Sequence, residues 1–85
     1  MKQFEYTVVD ELGLHARPAG LLVKKAMAWN SKITIKKEDK TADAKRLFAV
    51  MSLAVKKGET IAFVVDGEDE SDAAQDLQAF CSSNL

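Results

Sequence analysis

From Lys2 to Val9 the chain alternates, with Phe4, Tyr6 and Val8 on one side and Glu5 and Thr7 on the other. A period of two marks a strand with one buried face. Asp10-Glu11-Leu12-Gly13 breaks the pattern as a loop. From Ala16 the period changes. Ala19, Leu22, Val23 and Ala26 recur at three and four residues, which predicts a helix of about three turns. Pro18 falls in its first turn, where amide N–H groups have no intrahelical partner and proline costs no hydrogen bond. The helix should begin at or just before Ala16 and stop near Asn30-Ser31.

Ile33 and Ile35 alternate with Lys32, Thr34 and Lys36 and predict a second strand. Glu38-Asp39-Lys40 makes a polar turn, and Thr41-Ala42 opens a short third strand. Leu47, Val50, Met51 and Leu53 predict a short second helix whose start is ambiguous: Asp43 is a good cap by residue type, Arg46 a poor one. Lys57-Gly58 ends it. Thr60 to Asp66 is the strongest strand, with Ile61, Phe63 and Val65 facing one way. Glu68, Asp69, Glu70 and Asp72 suit the positive end of a last helix, whose apolar stripe is Ala73, Ala74, Leu77, Phe80 and Cys81.

The predicted order is βαββαβα. It implies an α/β (α+β) fold, an open-faced two-layer β-sandwich. A four-stranded, mainly antiparallel sheet is covered on one face by three helices. The link between the second and third strands is too short for a parallel crossover.

With 85 residues, the chain is expected to form one domain, 1–85. Twelve basic against 13 acidic residues give a net charge of -1, and the pI of about 5.8 argues against a nucleic-acid binder. Nothing approaches the apolar length of a membrane span, and Met1 to Val9 lacks a signal-peptide layout. The single cysteine, Cys81, excludes an internal disulfide and a multi-cysteine zinc site, and its place on an apolar stripe makes it a core residue. Trp29 should pack against the sheet edge, and Lys36-Lys37 and Lys56-Lys57 should be ordinary solvated charges. The acidic run from Asp66 to Asp72 lacks the alternation of a calcium loop. No metal and no cofactor are expected, and a reducing compartment, the cytoplasm, is the default.

The chemistry concentrates in Leu12-Gly13-Leu14-His15-Ala16-Arg17-Pro18-Ala19. The one histidine stands where loop becomes helix. A helix N-terminus offers unpaired N–H groups and a partial positive charge, which favour anions. Arg17 adds a guanidinium fork that matches phosphate oxygens. Both influences disfavour imidazolium and leave the neutral ring, the nucleophilic form. A phosphoryl group accepted there would meet the same N–H groups and Arg17. There is no second histidine, so a Ser or Cys hydrolytic triad with its own imidazole would have to use His15 as base.

Gly13-Leu14-His15-Ala16-Arg17-Pro18-Ala19 resembles the active-site signature of the HPr family, the histidine-containing phosphocarriers of the bacterial sugar phosphotransferase system. Leu21-Leu22-Val23-Lys24, Val50-Met51-Ser52-Leu53 with Lys57-Gly58, and Asp66-Gly67-Glu68-Asp69-Glu70 extend the likeness over essentially the whole chain. The resemblance implies a carrier, not an enzyme. His15 would accept a phosphoryl group from phosphorylated enzyme I, on Nδ1 by family precedent, and give it to enzyme IIA domains. Arg17 and the backbone N–H groups of Ala16 and Arg17 would hold the phosphate.

A partner surface also follows from spacing. Pro18 belongs to the histidine segment, and Gly20, Leu21 and Lys24 fall off the buried stripe of the first helix. Leu47, Phe48 and Met51 crowd a short second helix that cannot bury them all, although Met51 suits the core as well. Lys24, Lys45 and Arg46 would ring this apolar cluster, and similar family positions contact enzyme I and enzyme IIA. The expected carrier is monomeric and binds neither nucleic acid nor membrane.

One position departs from the family. Kinase-regulated members carry a serine where this chain has Arg46, after Lys45. Arginine there implies that the regulatory switch is lost and the carrier histidine kept. A nitrogen-related or dihydroxyacetone branch carrier stays open. So does a non-carrier regulatory module of the same fold acting by protein contact, although such relatives lose the histidine.

Overall fold

The computed structural model describes residues 1–85. Strand β1 (Lys2–Thr7) leads into helix α1 (Ala16–Met27), followed by β2 (Lys32–Lys37), β3 (Lys40–Asp43), α2 (Leu47–Ser52), β4 (Thr60–Asp66) and α3 (Glu70–Asn84). The sheet order is β1-β4-β2-β3 and every neighbouring pair is antiparallel. The predicted element order and two-layer architecture hold.

Alternation decides which face meets the helices. Ile33 and Ile35 of β2 and Ile61, Phe63 and Val65 of β4 are fully buried. Gln3, Glu5, Lys32, Lys36 and Thr60 are exposed, so the second face is polar and open. Phe4 of β1 pairs with Phe63 across the sheet, and the rings stack at a centroid distance of 4.7 Å. Against this face α1 buries Ala19, Leu22 and Ala26, and α3 buries Ala73, Leu77, Phe80 and Cys81. Val23 and Ala74, also expected on the stripes, lie at the margin of the core.

Several local expectations change. Helix α2 begins after Arg46, with no side-chain cap. Asp43, the better cap by type, is claimed by β3, where it pairs with Thr34. Its carboxylate accepts the Lys45 N–H at 2.9 Å and its carbonyl the Arg46 N–H at 3.1 Å, so it builds the turn before the helix. Helix α1 stops at Met27, before Asn30-Ser31. Trp29 reaches α3 rather than serving only as sheet-edge packing: its indole N–H donates to Asp76 at 3.0 Å.

Lys37 is no ordinary solvated charge. Its ammonium donates to the carbonyls of Leu53 and Ala54, each at 3.0 Å, and pairs with Glu59 at 3.0 Å. It satisfies the C-terminal end of α2, where free carbonyls and the helix dipole favour a cation.

Candidate functional site

The loop that carries the histidine is tied on two sides. On one, Val8 N–H donates to Glu59 at 3.0 Å, Gly58 N–H to Val8 at 2.8 Å, and Leu14 N–H to Val55 at 3.0 Å. On the other, the Val9 and Asp10 N–H groups donate to the Leu85 carbonyl at 2.7 and 2.8 Å. Leu14 is buried and anchors the loop in the core. Gly13 has φ of +68°, a left-handed conformation that glycine adopts without steric cost.

His15 is the residue immediately before α1, extended in backbone, and its side chain makes no capping bond to the helix. Its carbonyl accepts the Ala19 N–H at 2.9 Å, the first bond of α1. Pro18 therefore occupies the last position before the helix needs a donor. The N–H groups of Ala16 and Arg17 have no partner within the protein. They form the electropositive helix end that the spacing predicted.

Asp10, His15, Arg17, Pro18, Leu21, Ser83 and Asn84 line one recess of about 220 Å³. His15 is about a third exposed, its side chain at 33%, so solvent and a partner both reach the ring. Arg17 is exposed and forms no ion pair within the protein. Its charge is free for an incoming anion.

Comparisons with known proteins identify the family. A family model described as "PTS HPr component phosphorylation site" matches residues 2–83. The chain belongs to the HPr family. Its function is the family's, phosphoryl carriage in the phosphotransferase system.

Among its relatives is the phosphocarrier protein HPr of Lysinibacillus sphaericus, 46% identical over 77 residues, covering 91% of this chain and 88% of that one. The crystal structure of HPr-C-His from Thermoanaerobacter tengcongensis superposes with a TM-score of 0.93 at 35% identity, over 98% of this chain and 93% of that one. An HPr from Bacillus anthracis gives 0.88 at 36% identity, over 94% and 95%.

The other singled-out residues separate. Pro18 is buried against the core and Gly20 is half-buried, whereas Leu21 is 43% exposed on α1. On α2, Leu47 and Met51 are partly exposed and Phe48 stands out at 84%. Arg46 is exposed beside Leu47 and Phe48. Lys24 is exposed on the side of α1 that faces Phe80.

Lys45 is not a free member of a cationic ring. It is half-buried, and its ammonium donates to the Trp29 carbonyl at 2.7 Å, tying the α2 entrance to the end of α1. Asp10, in the sequence only part of a loop, joins the site: its Oδ2 lies 4.0 Å from His15 Nε2. The signal was an acidic residue in the loop that leads to the histidine, but only the folded loop turns it back toward the ring.

Proposed function

We propose that this HPr-family chain carries its phosphoryl group on His15, taking it from phosphorylated enzyme I and delivering it to enzyme IIA domains. The observation that carries the reading is a solvent-reachable imidazole sharing one recess with an unpaired guanidinium, at the start of a helix whose first two N–H groups are free. Covalent geometry supports Nδ1 as the acceptor atom. It is one bond nearer the backbone than Nε2, and the Ala16 and Arg17 N–H groups that follow it in the chain are free. Nε2 points instead toward Asp10. No capping bond occupies the Nδ1 lone pair.

The energetics favour both directions of transfer. The neutral ring attacks phosphorus, and the charge that arrives on the phosphoryl oxygens meets donors already oriented before the reaction. Because the site is shallow and wet, these contacts hold the phosphate without trapping it. Leu21, Leu47, Phe48 and Met51 offer adaptable apolar contact for successive partners, with Gly20, Lys24 and Arg46 on the surrounding surface. The proposed carrier is a monomer of one domain working in the cytoplasm. No helix is long and apolar enough to cross a membrane.

The test is to mix the protein with phosphoenolpyruvate and catalytic enzyme I. An acid-labile, base-stable phosphate should appear, and it should be absent in His15→Ala. Equal labelling of that variant would place the phosphate elsewhere and end the proposal.

A further inference from the structure

Asp10 stands beside the His15 ring, on its Nε2 side. Its Oδ2 is 4.0 Å from Nε2, and the two side chains are 35% and 33% exposed. The carboxylate is set in place by its own loop. Oδ1 accepts the Leu12 N–H at 2.9 Å, the Asp10 carbonyl accepts the Gly13 N–H at 2.9 Å, and the Asp10 N–H donates to Leu85 at 2.8 Å. His15 is its one ion-pair partner within 4 Å, so no lysine or arginine neutralises it.

Resting on the reading of His15 as phosphoacceptor, we propose that Asp10 is a positioning residue that keeps the ring proton on Nε2 throughout loading and unloading. A neutral imidazole carries one N–H, and its surroundings decide which nitrogen bears it. A carboxylate beside Nε2 selects the Nε2–H tautomer and leaves the lone pair on Nδ1.

In loading, that lone pair forms the N–P bond. The donor's bond to phosphorus breaks, and its electron pair leaves with the donor. The ring becomes cationic, and its Nε2–H stays against the carboxylate. In unloading, the acceptor's electron pair binds phosphorus and the N–P pair returns to Nδ1. Because Nε2 is still protonated, the leaving group is neutral imidazole rather than imidazolate. No proton has to move in either direction. A phosphoryl group on Nδ1 is then on the ring nitrogen that does not face the carboxylate.

Two substitutions separate this role from a merely structural one. Asp10→Asn keeps an acceptor for the Leu12 N–H but sets an amide N–H2 where Oδ2 was, which favours a lone pair on Nε2 and the proton on Nδ1. Asp10→Ala removes both. The ring nitrogens are read by 15N NMR of the unphosphorylated proteins in alkaline solution, where the imidazole is neutral, and loading is timed with enzyme I charged by phosphoenolpyruvate.

The wild type should be mainly Nε2–H. Asp10→Ala should show mixed tautomers and load about tenfold slower. Asp10→Asn should shift toward Nδ1–H and load at least as slowly. Wild-type tautomer and rate in Asp10→Asn would reduce Asp10 to a turn-former and overturn the proposal while leaving the carrier reading intact. A wild-type chain that takes no phosphate would overturn the two together.

Discussion

Gly13 lies so close to Val55 that a Cβ on it would stand 2.2 Å from the Val55 carbonyl oxygen, and 2.8 Å from the Cα of Lys56. Both obstacles are backbone, so neither can rotate away. The same approach lets the Leu14 N–H reach Val55 at 3.0 Å, and Leu14 directly precedes the histidine. Gly13→Ala should therefore cost about 2 kcal/mol or more, from the positive φ and the clash together. A thermal melt should fall by roughly 8–16 °C. Phosphoryl acceptance should slow as well, because the displaced loop carries His15.

Arg17 should matter to transfer and not to folding. Its side chain is exposed and unpaired, so Arg17→Ala should leave the melting temperature nearly unchanged. Loss of one charge-assisted contact to the phosphoryl group should slow loading roughly ten- to a hundredfold. Arg17→Glu should be slower still. Wild-type transfer in Arg17→Glu would remove the guanidinium from the phosphate site.

Asp69 precedes α3, yet its carboxylate serves the segment after α1. It accepts the Ser31 hydroxyl, the Asn30 N–H at 2.8 Å and the Ser31 N–H at 2.9 Å. These bonds, the Ser31 hydroxyl foremost, hold its carboxyl below the ordinary aspartate value. The unfolded chain therefore binds this proton more readily than the folded one. The stabilisation is complete above about pH 4 and is lost as pH falls through the depressed folded value. Asp69→Asn should lower the urea midpoint at neutral pH and flatten its decline in acid. Parallel curves for the two proteins would refute the linkage.

Burial pushes the Cys81 thiol up to about 12. At mildly alkaline pH a disulfide reagent should therefore label the folded chain more slowly than the urea-unfolded chain by on the order of a thousandfold. Fast labelling under native conditions would mean that the last turns of α3 open readily.

Arg46 removes the hydroxyl at the start of α2. A bifunctional serine kinase of this system with ATP should add no phosphate to the chain, and Arg46→Ser should become an acceptor. Ser52 is no substitute, since its hydroxyl donates to the Ala49 carbonyl at 2.6 Å within the same short helix. Mass spectrometry of tryptic peptides decides the matter, and stoichiometric phosphate on the wild-type chain would contradict it.

Much of this molecule was legible in its periodicities. Ile61, Phe63 and Val65 alternate with partners on the open face, and Ala19, Leu22 and Ala26 recur at helical spacing. Such patterns depend only on which face of a local element turns inward. His15, Arg17 and Pro18 were legible for the same reason, because a helix end and its free N–H groups are properties of one short segment. Phe48 was readable as exposed because a six-residue helix cannot bury every apolar side chain it carries.

The sequence by itself determined the elements, their order and the histidine at the helix start, all consequences of neighbours along the chain. Only the tertiary structure decided which distant groups meet. It drew Asp43 into β3 and so left the α2 cap position to Arg46, and it bent Lys37 onto the end of α2 and Lys45 onto Trp29. It set Val55 against Gly13 and turned Asp10 back toward the His15 ring. Such contacts come from strand pairing and loop closure, where a long-range partner outweighs local preference, and no periodicity records them.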